Sequence, residues 1–281
     1  MRGHRRLFVG IAALTAGAVT GLAWADKAFR GAYLQGAMRL RAEAGFQGDA
    51  PVLEADLEDL PEPMARYIRF SGAVGKPRIN AVHLLHAGRF KTSANAPWMP
   101  IRGEYFITAI KPAFAWYGRL RVAPGVHVAA VDSYADGHGR MLVKAMSLFR
   151  IADDQSDLVS RSAFGRCVAE LTMAPTFFLN RQHVRCTQTG HDQVRCTVAD
   201  AGFSTDAELF INEDGSLNRV VVMRYFDRGD GTATLERFTG EHSRPRVFGG
   251  RVLASRMDGT WNLPEGDLHY VSFQIERADF E

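Results

Sequence analysis

From Ile79 onward the sequence consists of short runs rich in β-branched and aromatic residues, each followed by turn residues such as Pro124-Gly125 or Asp136-Gly137. Strands joined by such short turns can pair only as antiparallel neighbours, because a parallel pair needs a crossover of a dozen or more residues. The pattern therefore predicts antiparallel meanders and excludes repeated βαβ units. The predicted strands are 79–91, 101–109, 114–122, 126–134, 138–145, 182–188, 193–199, 203–212, 218–227, 232–241, 251–261 and 267–277.

Helical spacing occurs in three other segments. Phe29, Tyr33, Ala37 and Leu40 recur at intervals of three and four residues, which predicts a helix over 26–48. A second helix is expected over 57–70, with its regular part beginning at Pro63. A third is expected over 158–173, and Pro175 ends it.

The N-terminal segment has the pattern of an export signal. Residues 2–6 include three arginines, residues 7–24 are uncharged and mostly apolar, and Ala23-Trp24-Ala25 is a cleavage pattern of the A-x-A type. The apolar run is long for a signal peptide and short for a spanning helix, so both a cleaved signal and an inner-membrane anchor stay open. Either reading predicts that residues 26–281 lie outside the cytoplasm, in the periplasm.

The charge balance argues against a nucleic-acid partner. Arg2, Arg5 and Arg6 account for the whole formal charge of +3, so the rest of the chain is neutral. A nucleic-acid-binding protein would show a basic patch or stripe, and none is visible.

Three cysteines fit an oxidising compartment. Cys186 and Cys196 lie symmetrically about turn residues near His191, which would place them opposite each other in a hairpin. They form either a disulfide or two buried thiols, and export favours the disulfide. Cys167 is left over and is expected to be a buried apolar residue.

A set of short strings resembles an uncharacterised bacterial family of unknown function. The family's pattern pairs L-P-x-P-x-x-R-Y with W-M-P and a terminal W-x-L-P-x-G-D, and the resemblance spans about residues 60–275. The strings that carry it are LPEPMARY (60–67), GAVGKP (72–77), GRF (88–90), WMP (98–100), KPAFAWYGR (111–119), DSYADGHGRM (132–141), RYF (224–226), FGG (248–250) and WNLPEGDLHY (261–270). The stretch GRCVAELTMAP (165–175) departs from the pattern. No activity follows from this resemblance.

The order of elements is also similar to the half-open barrel of periplasmic lipoprotein and lipid carriers. With that similarity, the expected fold is α+β and mainly β: a curved antiparallel sheet with helices on its concave side and an apolar N-terminal helix. The expected organisation is 1–25 as signal or anchor, 26–78 as a helical segment, and 79–281 as a β domain with a helix inserted near 158–180.

The common catalytic and cofactor motifs are missing from the sequence. There is no G-x-S-x-G, P-loop, G-x-G-x-x-G or H-E-x-x-H pattern, so neither a cofactor nor a metal is expected. His83 and His86 differ by an odd offset, which sends two strand side chains to opposite faces and prevents them from sharing one ion.

The sequence predicts a non-enzymatic protein that binds a lipid-like or other apolar small molecule. A curved sheet with more aromatic surface than its helices cover would leave an apolar cavity. Arg166 and Glu170, four residues apart, either form a solvated helix pair or line the mouth of that cavity. The predicted ligand-binding residues are Phe106, Phe114, Trp116, Arg166, Glu170 and Phe178.

Two alternatives remain at this stage. One is a hydrolase or isomerase in which Asp132, Tyr134, His138 and Glu170 converge in the concavity. The other is a structural or interaction module of the cell envelope that presents an aromatic edge.

Overall fold

A computed structural model describes the backbone of residues 2–46 and 48–281, and the side chains of those residues except 2–19 and 44. Within these ranges thirteen strands form one sheet in which every neighbouring pair is antiparallel. The mainly β, antiparallel class predicted from the turn spacing is therefore confirmed.

The strands follow the chain in two runs that meet in the middle of the sheet. Their order across the sheet is β6-β5-β4-β3-β2-β1-β13-β12-β11-β10-β9-β8-β7. The first and last strands are therefore central neighbours, with Val82 opposite Phe280. The strands are β1 (Ala81–Phe90), β2 (Met99–Thr108), β3 (Ala113–Ala123), β4 (Val126–Ala135), β5 (His138–Ala145), β6 (Phe149–Asp154), β7 (Val184–Gly190), β8 (Gln193–Asp200), β9 (Phe203–Ile211), β10 (Leu217–Asp227), β11 (Ala233–Phe248), β12 (Arg251–Leu263) and β13 (Gly266–Phe280).

In the described part of the chain, three α-helices accompany the sheet: α1 (Arg2–Ala44), α2 (Glu62–Phe70) and α3 (Asp157–Glu170). Short 3-10 helices cover Glu54–Leu57, Leu171–Met173 and Pro175–Leu179. The hydroxyl of Ser156 caps α3 by accepting a hydrogen bond from the Val159 amide at 3.3 Å. Pro63 lies in the first turn of α2, as the sequence predicted.

The two faces of the sheet pack against different helices. Along β3, Phe114 and Trp116 belong to the core shared with α3, whereas Ala115 and Tyr117 belong to the core shared with α1. Even-numbered and odd-numbered residues of β3 face opposite sides because side chains alternate along a strand. We call the two sides the α3 face and the α1 face. Helix α3 packs against β4 and β5 in one half of the sheet and against β9 and β10 in the other.

Helix α1 is longer than predicted. It reaches beyond the expected 26–48 segment, and its predicted stripe of Phe29, Tyr33, Ala37 and Leu40 is buried against the sheet. Among the residues whose side chains the structure describes, no helix is both long and apolar enough to cross a membrane. Most of the predicted signal or anchor segment, residues 7–19, lies outside the described side chains.

Strand β6 was not predicted. All six of its residues are exposed, so it has no buried face and no hydrophobic alternation from which a strand could be recognised. It forms one edge of the sheet and pairs with β5.

Strands β7 and β8 form the predicted cysteine hairpin. The register places Cys186 opposite Cys196, with the Cα atoms 4.1 Å apart and the two Sγ atoms joined as a disulfide. Cys167 on α3 is a buried free thiol.

We expect this disulfide to be present in the protein purified from its own host. Proteolysis of the full chain without reductant should yield one linked peptide pair containing Cys186 and Cys196, and reduction should separate it. The closed loop is short, so replacing Cys186 by Ala should lower the free energy of unfolding by at most about 3 kcal/mol. Alkylation of both thiols in the freshly isolated protein would show that the bond does not form.

Candidate functional site

A buried cluster of charged and aromatic side chains joins α3 to the sheet. Arg166 forms an ion pair with Asp132 on β4, and its Nε donates to the Tyr105 hydroxyl at 2.7 Å. That hydroxyl donates to Glu170 Oε1 at 2.8 Å, and Arg166 Nε lies 3.8 Å from the same carboxylate oxygen. We call these four residues the Arg166 cluster.

Aromatic rings surround the guanidinium of this cluster. The Cζ atom of Arg166 lies 5.2 Å from the ring centroid of Tyr105, 5.3 Å from that of Phe114 and 4.8 Å from that of Trp116. Cation–π attraction is strongest when the cation is desolvated, as it is here. Phe114 and Trp116 therefore contact a fixed arginine and are not exposed to an open cavity.

Trp116 is held in place on its other side by a hydrogen bond and by close packing. Its Nε1 donates to His86 Nε2 at 2.9 Å, and burial lowers the pKa of His86 to about 3, so the ring is a neutral acceptor. The indole also lies over Gly118, where a Cβ would come within 2.3 Å of it. His83 lies on the opposite face and contacts Glu104, as the odd offset between the two histidines predicted.

The Arg166 cluster contains two acids, Asp132 and Glu170, but only one basic residue, Arg166. Burial raises the pKa of Asp132 and of Glu170, although Arg166 opposes the rise in both. Burial also opposes the charge of Arg166, but Tyr105 and the two acids outweigh it and raise the pKa of Arg166. Asp132 Oδ1 and Glu170 Oε2 are buried without a hydrogen-bond partner among the described residues. The charge of Arg166 is therefore needed to keep these acids in the interior.

The sequence proposed a solvated Arg166–Glu170 pair as one reading, and the structure contradicts it. The two side chains are only 12% and 14% exposed. Helix α3 is contacted by strands from both halves of the sheet, and Arg166 and Glu170 lie on the side of α3 that faces them, whereas Asp157 and Arg161 are exposed.

The six predicted ligand-binding residues do not line one cavity. Phe106 is on the α1 face, because it is one residue out of phase with the positions on β2 that face α3. Phe114 and Trp116 are buried on the α3 face, and Phe178 is buried in the 3-10 helix after α3. Of the six predicted residues, Arg166 and Glu170 are the two that belong to the Arg166 cluster.

The residues of the enzyme alternative are also only partly brought together. Asp132 and Glu170 meet at Arg166, but the Tyr134 hydroxyl donates to Asp200 at 2.9 Å and His138 is exposed at the start of β5. Within the described residues, no group of three or more His, Cys, Asp or Glu side chains is placed to hold a metal ion.

A second candidate site lies on the α1 face, beside α1. It is a cleft of about 750 Å³. We call it the α1 cleft. It is lined by Asp26, Arg30, Leu85, His86, Ala87, Gly88, Pro100, Ile101, Arg102, Gly103, Glu104, Tyr117, Arg119, Arg121, Ala123, Gly125, Val126, His127 and Glu276. The lining combines apolar residues of β1, β2 and the β3–β4 turn with four arginines, which are Arg30, Arg102, Arg119 and Arg121.

Paired charges lie on the α1 side of this cleft. Arg30 forms an ion pair with Glu104, and burial opposes ionisation of Glu104 but His83 and Arg30 outweigh it and lower its pKa. Asp26 accepts from the Ser147 hydroxyl at 2.8 Å and lies 3.4 Å from His127 Nε2. Burial, followed by Arg119, lowers the pKa of His127, which leaves its ring neutral at neutral pH.

The arginines on the sheet side are less firmly paired. Arg119 lies 3.5 Å from Asp26, and Arg102 lies 3.7 Å from Glu276. Arg121 is exposed and forms no ion pair with any described residue. The cleft therefore presents cationic groups that an anionic ligand could reach.

Sequence reasoning did not find the α1 cleft. Its residues come from α1 and five strands, and no local spacing indicates where α1 crosses the sheet. The one available signal was Arg119 and Arg121, which stand two apart on a predicted strand and so share a face.

The buried charges of the Arg166 cluster give a stability prediction. Replacing Arg166 by Met should lower the free energy of unfolding by about 3–5 kcal/mol, because it leaves two acids buried and unpaired. The triple variant Arg166→Met, Asp132→Asn, Glu170→Gln should recover most of that loss, since the two buried acids are then replaced by neutral amides. Denaturant unfolding of the three proteins measures both values. Equal loss in the single and triple variants would mean that packing, not charge, makes Arg166 necessary.

Comparisons with known proteins fit the expectation of a family without an assigned activity. No curated protein sequence matches the chain. Among solved structures, a DUF1329 family protein from Desulfovibrio piger aligns with a TM-score of 0.44 and 12% identity, over 83% of this chain and 94% of that one. An outer membrane lipoprotein-sorting protein domain from Vibrio parahaemolyticus aligns with a TM-score of 0.35 and 10% identity, over 72% and 86% of the two chains. Residues 50–273 match the family described as "Family of unknown function (DUF6544)", and because this match spans well over half of the sequence, the chain belongs to that family.

Proposed function

We propose that this chain is an exported, non-enzymatic protein that binds a lipid-like molecule with an anionic headgroup in the α1 cleft. The observation that carries the proposal is the composition of that cleft, in which an apolar floor is bordered by arginines. Its volume of about 750 Å³ lies within the range usual for small-molecule sites.

The apolar floor suits an acyl chain. Leu85, Ala87, Pro100, Ala123 and Val126 contribute to the lining and come from strands or turns that are adjacent in the sheet. Burial of each methylene contributes about 0.8 kcal/mol, so a chain that is only partly covered still gains useful affinity.

The arginines suit the headgroup. Guanidinium groups bind carboxylates and phosphates through two parallel hydrogen bonds, and Arg121 has all its donors available for such a contact. Arg102 and Arg119 have only long contacts to acids and can turn toward an anionic group.

We place the ligand on the α1 face because the α3 side is filled. Contacts of α3 with β4, β5, β9 and β10 support a sheet that curls around α3, with this helix on the concave side. The space inside that curve is occupied by Phe114, Trp116 and Phe178 together with the Arg166 cluster. An acyl chain in this region would have to displace core side chains.

A photoactivatable hexadecanoate tests this site in the full chain. We expect its cross-links to map by peptide mass spectrometry to β1–β4 around the α1 cleft. At subsaturating probe, Arg121→Ala should reduce labelling about tenfold, the effect of losing about 1.4 kcal/mol. Ala87→Trp should abolish labelling by filling the floor, while circular dichroism stays unchanged.

Two controls make the result specific. Arg195→Ala removes an arginine from β8, far from the cleft, and should leave labelling unchanged. The alcohol analogue of the probe, which carries no charge, should label weakly in every variant. Equal labelling by acid and alcohol, or cross-links confined to residues 7–24, would contradict the proposed site.

Export is the second part of the proposal, supported by the basic residues 2–6, the apolar residues 7–24 and the A-x-A pattern that ends at Ala25. A fusion of residues 1–30 to a reporter that is active only outside the cytoplasm should be active. Substituting two arginines into the apolar run, for example at Ala13 and Ala16, should silence it. A normally expressed but inactive wild-type fusion would rule export out.

A further inference from the structure

One end of the sheet exposes large apolar side chains from three separate segments. Trp24 on α1 is 71% exposed and Phe149 on β6 is 69% exposed. The group, which we call the apolar end, consists of Trp24, Val122, Val126, Leu148, Phe149 and Ile151. Large apolar side chains exposed together at one end of a protein mark an interaction site.

Hydrogen bonds and strand register bring these segments together. Val128 pairs with Ala145, so the β3–β4 turn and the β5–β6 turn lie side by side. His127 Nε2 lies 3.0 Å from the Ser147 hydroxyl, and that hydroxyl donates to Asp26 at 2.8 Å. Trp24 precedes Asp26 by two residues, which places the α1 contribution at the same end.

The two turns at this end carry only basic charges, and the acids that pair with them are Asp26, 3.5 Å from Arg119, and Asp153, 3.8 Å from Arg150. Residues 119–128 and 142–151, which form the two turns and their flanking strands, contain four basic residues and no acidic residue. They are Arg119, Arg121, Lys144 and Arg150. Residues 26–281 are neutral overall, so these four basic residues are a local excess of positive charge.

The sequence continues from this end into an apolar segment. The part of α1 that follows Asp26, which lies beside Ser147, extends to Arg41, which lies 2.7 Å from Glu281 at the opposite end of the sheet. Residues 7–24, which form the N-terminal part of α1 and are uncharged, join this stretch on the side of the apolar end. Tryptophan and basic side chains next to an apolar helix are typical of a membrane interface.

We propose that the apolar end docks on the surface of a bilayer containing anionic lipids. In this position Phe149, Leu148 and Val126 enter the headgroup region, and the four basic residues contact lipid phosphates. The body then stands on the membrane with β6 and the β3–β4 turn toward it. Val126, Arg119 and Arg121 also line the α1 cleft, whereas Phe149, Leu148, Lys144 and Arg150 do not, so docking through these four residues does not depend on a ligand in the cleft.

A second copy of this chain is the main competing occupant, because β6 is an exposed sheet edge that could pair with another strand. Edge pairing would use the backbone of β6 alone. It would not account for Trp24 and Val126, which lie outside that strand, or for the basic residues around them.

Site-specific fluorescence in vesicles distinguishes these occupants. The full chain, carrying Phe149→Cys or Phe46→Cys, is labelled with an environment-sensitive dye and incorporated into vesicles of mixed phosphatidylglycerol and phosphatidylcholine. The two positions are matched, since Phe149 is 69% and Phe46 68% exposed, and Phe46 follows the far end of α1. Cys167 is buried and remains unlabelled in the native protein.

We expect spin-labelled lipids to quench the dye at position 149 several-fold more than the dye at position 46. Arg150→Glu, or vesicles of phosphatidylcholine alone, should reduce the difference. Equally weak quenching at both positions would show that the body does not rest on the bilayer and would overturn the proposal. A blue shift at position 149 that grows with protein concentration in the absence of vesicles would instead assign the surface to a second copy.

Discussion

The pairing of β1 with β13 holds the structure together. It joins residues about two hundred positions apart, with Val82 opposite Phe280, and turns two meanders into one continuous sheet. Closing so long a loop is costly in entropy, and the cost rises slowly with loop length. Arg41 on α1 also forms an ion pair with Glu281, one residue after β13 ends. Both faces of the sheet therefore depend on this one ladder.

Once the sheet is continuous, α3 connects its two halves on one face. Gly139 on β5 and Gly165 on α3 let backbone elements approach closely, since a Cβ on Gly139 would come within 2.7 Å of Ser160 and one on Gly165 within 3.0 Å of β10. The Gly139 amide also donates to the Ser160 hydroxyl at 2.9 Å. The Arg166 cluster adds a charged contact at the same junction. Helix α3 therefore belongs to the core.

The turn spacing allowed most of the strands to be predicted, because each turn carries its own local signal. Strand β6 was missed because none of its residues is buried. The proposed site was predicted less well. The sequence shows which residues of a strand share a face of the sheet, but it does not show which helix covers that face. Phe106 and Trp116 lie on neighbouring strands, yet they pack against α1 and α3 respectively. The α1 cleft depends on the path of α1 across the sheet, which is a long-range contact without a sequence signature.

The burial of Cys167 has a consequence for the redox chemistry of the whole chain. Its side chain is fully enclosed on α3, and burial raises the pKa of the thiol well above its ordinary value. Thiol–disulfide exchange requires a thiolate that can reach a sulfur atom, and the folded chain provides neither the ionised form nor the access. The hairpin bridge between Cys186 and Cys196 is thus protected from rearrangement for as long as α3 stays in place, and any mispairing of cysteines reports unfolding of the core.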